Sequence, residues 1–153
     1  MANFYCLLAT EFPFPEQAAI DFMSMCNTDL DDYPQWFVNK YKLTEGNLDK
    51  FLEDNGIYWG TIITTSYDGE KLYIASGDNG SVTHIAFMLS EVMQHYNIKD
   101  PIIIEYVYTC SELRPGAFGG GVAVVGPGTW RVNSTAAIGE KWAKAMRKAL
   151  SKK

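Results

Sequence analysis

The chain of 153 residues is the size of one domain, long enough to bury about 70% of the surface its unfolded form exposes. Its 47% hydrophobic and 20% charged residues exclude a disordered chain, and no window approaches the roughly 18 apolar residues of a membrane-spanning helix. The net charge of −5 is uneven: residues 1–139 hold 17 acids against seven bases, and residues 140–153 hold one acid against six bases, which argues against generic nucleic-acid binding and leaves contact through the basic terminal helix as the least favoured reading.

In chain order, Phe4-Tyr5-Cys6-Leu7-Leu8 predicts a buried strand over Asn3 to Thr10, broken by Pro13 and Pro15. Pro15 suits the first turn of a helix over Glu16 to Met25, with Ala19, Phe22 and Met23 on one side. Asp29 to Pro34 reads as a turn, and Trp36, Phe37 and Tyr41 line a short helix. Thr44 is the expected N-cap of a helix from Glu45 to Asp54, with Asn55-Gly56 as its stop. Ile57 to Ser66 and Lys71 to Ser76 form a hairpin whose Asp68-Gly69 carries the turn signature.

Val82, Ile85, Ala86, Leu89, Met93 and Tyr96 recur at helical spacing after Asn79 or Ser81 as cap. The apolar run from Ile102 to Tyr108 predicts a central strand buried on both faces, and Val122 to Val125 its antiparallel return. Thr129 to Val132 is a further short strand. A terminal helix over Thr135 to Ser151 is expected to turn Trp142, Ala145, Met146 and Ala149 to the core and its lysines to water.

Three cysteines, Cys6, Cys26 and Cys110, are widely spaced and form no C-x-x-C pair, which argues against a disulfide framework or a structural zinc. Met1 to Cys6 lacks a basic stretch before an apolar one, so no signal peptide is expected, and the reading is a cytoplasmic protein. His84 and His95 are 11 residues apart on one helix, about 16 Å along its axis, too far to share a metal. Cys110 as a nucleophile would need one of them as base, and no local signature supports that. Glu105 sits inside the apolar strand, either in water at an edge or paired with Arg114 or Arg131. Trp36, beside Asp31 and Asp32, is the expected interface anchor.

The most distinctive stretch is Thr109 to Gly121. Gly119-Gly120-Gly121 permits close backbone approach, which serves a phosphate cradle, a tight structural connection, or a binding loop for protein or another ligand. A phosphate loop must lead into a helix N-terminus. This one leads into Val122-Ala123-Val124-Val125, which favours the structural connection.

Thr109-Cys110-Ser111-x-x-Arg114-Pro115-Gly116-x-Phe118-Gly119-Gly120-Gly121, with the small and β-branched residues after it, resembles the signature of a family of small proteins of bacteria, phages and other mobile elements. The resemblance covers roughly residues 70–135 and implies a mobile-element setting rather than a chemistry. Ser111-Glu112-Leu113 departs from it, where members often carry a lysine or proline, and makes the loop less basic.

The expectation is one α+β domain over residues 1–153, a single mostly antiparallel sheet with helices packed mainly on one face. Its expected role is that of a non-catalytic protein-binding module, such as an inhibitor of a bacterial defence system. A host protein is the expected partner, and a homo-oligomer is left open. No cofactor, metal, nucleic acid or membrane is expected. The candidate binding residues are Cys110, Ser111, Arg114, Phe118, Gly119, Gly120, Gly121, Trp36, Asp31 and Asp32. The alternative is a small enzyme or a nucleotide- or anion-binding protein that uses the loop 109–121.

Overall fold

The computed structural model describes residues 4–27, 29–57, 63–76, 81–110 and 119–152. The order is β1 (Phe4–Pro13), α1 (Glu16–Met25), a 3-10 turn (Leu30–Asp32), α2 (Gln35–Tyr41), α3 (Leu48–Asp54), β2 (Ile63–Tyr67), β3 (Lys71–Ser76), α4 (Val82–His95), β4 (Ile102–Cys110), β5 (Gly119–Gly126), β6 (Thr129–Ser134) and α5 (Thr135–Leu150). The six strands form one sheet in the order β2-β3-β1-β4-β5-β6, every neighbouring pair antiparallel. This is the α+β architecture that the sequence predicts.

Local chemistry places the elements. Pro15 caps α1 in extended backbone with no side-chain bond, and Ser81 caps α4 by accepting from the His84 amide at 3.3 Å. In the β2–β3 turn, Gly69 adopts φ 95° and the Asp68 carboxylate accepts from the amides of Glu70 and Lys71 at 2.9 and 2.7 Å. The helix after Thr44 starts later than expected, at Leu48. Thr44 donates its amide to the Asn47 side chain at 2.7 Å instead of capping. β1 runs through Pro13, which pairs with Lys71 of β3. Pairing of β1 with β4 ends at Leu7, so the missing proline N–H falls on a side with no registered neighbour.

The core lies on one side of the sheet. Leu72, Ile74, Ile102, Ile104, Tyr106, Ala123 and Val125 point inward against Phe22, Met25, Phe37, Leu52, Ile85, Leu89 and Met93 of the helices. α4 is the centre of this layer, with eleven of its fourteen residues buried.

Two expectations are overturned. The run Ile102 to Tyr108 is buried on one face only, because among the described helices only the first turn of α5 reaches the other: Ile103 is 63% exposed and Val107 49%. α5 does not turn its apolar stripe to the core: Trp142 is 70% exposed, and Met146 and Leu150 are exposed as well. α5 has no buried residue at all, since only its start touches β5 and β6.

Candidate functional site: an open apolar sheet face

In a strand, successive side chains alternate between faces. With Ile102, Ile104 and Tyr106 inward, Ile103, Glu105 and Val107 of β4 point outward. Register places Val124, Val122 and Gly120 of β5 beside them on the same face. Leu7 and Ala9 of β1 and Tyr73 of β3 extend it. The result is a mostly apolar surface across the middle strands, with the exposed carboxylate of Glu105 at its centre. Glu105 therefore sits in water on an open face, and the sheet's other outward charges are Glu11 of β1, Lys71 of β3 and Arg131 of β6. A patch of this kind on a protein surface is a marker of protein contact.

Depressions beside Glu105 shape the face. β1 pairs with β4 over Phe4 to Leu7 and with β3 over Leu8 to Pro13. Where it changes partner, a cleft of about 400 Å³ opens, lined by Leu7, Ala9, Glu105 and Val107. A second cleft of about 470 Å³ lies between β4, β5 and the first turn of α5, lined by Glu105, Val107, Gly119 to Val122, Thr135 and Ile138.

Gly119, Gly120 and Gly121 are the first residues of β5, not a loop before it. Gly121 pairs with Tyr106, whose hydroxyl lies 2.6 Å from where a Gly121 Cβ would stand, and the Asn133 carbonyl oxygen lies 2.2 Å from that point. At Gly120 a Cβ would stand 2.3 Å from the Tyr106 carbonyl oxygen. Close strand approach explains both glycines without a ligand. Cys110 ends β4 and pairs with Phe4. Ser111, Arg114 and Phe118 lie outside the described residues.

Trp36, Asp31 and Asp32 are far from this face, in the helical layer. Asp31 and Asp32 are exposed in the 3-10 turn. Trp36 is half-buried: its ring stacks on His95 with centroids 4.1 Å apart, and its Nε1–H donates to Asp21 at 2.8 Å. Asp21 also accepts from the Tyr96 hydroxyl at 2.6 Å and from Gln17 at 3.1 Å. Burial and the bond to Asp21 push the Tyr96 phenol up to about 12. A second buried carboxylate, Glu91, accepts from the Lys40 ammonium at 2.6 Å and from the Tyr41 hydroxyl. The two carboxylates tie α1 and α2 to α4.

His84 is 1% exposed, and both its ring nitrogens lack a partner among the described residues. Burial alone pushes its pKa down to about 4, so it is neutral at pH 7. Burial also raises the Cys6 thiol, against the lowering effect of the Val82 amide. Neither group touches the open face. Among the described residues no cluster of three metal-ligating side chains occurs.

Sequence reasoning missed Ile103, Val107, Val122 and Val124. The signal was present: Glu105 shares the odd-numbered side of β4 with Ile103 and Val107, and a charge in a strand marks the wet face. No protein-family model matches the chain, and no curated protein or solved structure is detectably similar to it.

Proposed function

We propose that the chain is a non-catalytic protein-binding module whose docking surface is the open face of the sheet. The observation that carries this reading is the apolar strip Ile103, Val107 and Val124, left uncovered beside an amphipathic helix whose own stripe is also uncovered. The motif resemblance supports a mobile-element setting, in which occupying a host protein, such as a component of a bacterial defence system, is a coherent role. The glycine cleft is a poor cradle for an anion, because its walls are apolar and Glu105 brings a negative charge into it.

Affinity capture from a bacterial lysate with the wild-type chain and with Ile103→Glu tests the reading. Ile103 packs against nothing in the core, so both proteins should melt together. The expected result is one stoichiometric partner protein on the wild type and at least a tenfold loss on the variant. Equal capture by the variant, or no partner, refutes the proposal.

A further inference from the structure

We infer that the open sheet face of one molecule receives α5 of a second copy of this chain, in a reciprocal exchange of helices. This rests on the reading of that face as a protein-docking surface, and it names the first occupant.

The stripe on α5 is continuous. Ile138, Trp142, Met146 and Leu150 follow one another at four-residue spacing, with Ala145 and Ala149 alongside. Ile138 is seated against β5 in the glycine cleft, and the rest of the stripe runs off the sheet into solvent. The stripe therefore begins in a helix-on-sheet contact and continues without one.

The helix does not close that contact on its own sheet. β6 ends at Ser134 and α5 begins at Thr135, with no residue between them. Ser134 is at once the last strand residue and the N-cap, its hydroxyl accepting from the Ala137 amide at 3.0 Å. The contiguous junction leaves no linker that would let α5 fold back across its own sheet.

Charge and size fit a second copy. Residues 1–139 carry a net charge of −10 and residues 140–153 carry +5. Lys141 and Lys148 border the stripe on one side and Arg147 on the other; the face they would meet has Glu105 at its centre and Glu11 on β1, with Lys71 on β3 and Arg131 on the edge strand β6. The part of α5 beyond its first turn, residues 139–150, is about 18 Å long, and half its surface is about 300 Å². A two-fold exchange covers two stripes and two faces, about 1,200 Å² in all, the lower end of the range for a stable interface. The dimer is then the resting form, and a host protein that takes the face displaces α5.

The test is molar mass by light scattering across a dilution series, on the full chain and two variants at exposed positions, Trp142→Glu and Val107→Glu. The wild type should run at twice 17.2 kDa and each variant at 17.2 kDa, all with the same circular dichroism. An equimolar mixture of the two variants should regain a dimer, because one intact stripe meets one intact face. Val124→Glu replaces Val107→Glu if the latter does not fold. A monomeric wild type overturns the inference, as does a Val107→Glu dimer beside a Trp142→Glu monomer, which would mean that helices pair with each other. A mixture that stays monomeric overturns it too. If the wild type is monomeric and Ile103→Glu still loses its host partner, this inference alone fails and the docking reading stands.

Discussion

Asp21→Ala is expected to lower the unfolding free energy by about 3 kcal/mol, the scale set by buried donors that lose a charged acceptor. Asp21 is 8% exposed and receives three hydrogen bonds, from Trp36, Tyr96 and Gln17. Alanine would leave the indole N–H and the phenol O–H without that acceptor in a partly dry pocket. It would also loosen α2 from α1 and α4 at once, since Trp36 comes from α2 and Tyr96 follows α4. Denaturant titration measures the effect as a fall in midpoint with unchanged slope. Asp21→Asn keeps one acceptor and should cost clearly less. A loss under about 0.5 kcal/mol for the alanine variant, the size of an ordinary surface change, would show that these bonds do not hold the helical layer.

The second large effect is acid lability through His84. Its folded pKa, about 4, lies below the ordinary value of 6.5. Between these two values the unfolded chain binds a proton that the folded chain does not. Stability from this group is therefore complete above pH 6.5, falls as pH drops through that value, and reaches its floor near pH 4. The shift corresponds to about 3 kcal/mol. His84→Met fills similar apolar space and cannot titrate. The difference in unfolding free energy between variant and wild type, measured at pH 7 and at pH 4, isolates the histidine from the carboxylates that titrate in both. It should grow in favour of the variant by about 3 kcal/mol on acidification. A difference that stays constant would mean that His84 keeps its ordinary pKa.

Much of the fold was legible because its signals are local. Pro15 marks the start of α1, Asp68-Gly69 the β2–β3 turn, and Ser81 with the spacing of Val82, Ile85 and Leu89 the start of α4. The carboxylate clusters were not legible. Asp21 meets Tyr96 across 75 residues and Glu91 meets Lys40 across 51, and no periodicity announces such a meeting. Trp36, beside an acidic turn, reads as an anchor from its neighbours in sequence, whereas its ring is held by Asp21 and His95.

The exposure of the β4 and α5 stripes was not legible for a related reason. Hydrophobic pattern says which side of an element is apolar, and the usual inference is that the same chain covers it. The β4 run and the α5 stripe were both assigned to the core on that basis. Both are apolar, and the described chain leaves most of each exposed. These two exposed apolar surfaces, one on a helix and one on the sheet, are the central feature of the molecule.

The most direct test of that feature is a photo-crosslinking residue placed at Ile103 in the intact chain, expressed in bacterial cells, with the same residue at exposed Glu53 of α3 as control. The docking account predicts a discrete protein adduct at position 103, at twice the chain mass if the occupant is a second copy and at another mass if it is a host protein, and none of comparable yield at position 53. A surface at position 103 that captures no protein above the control would contradict it.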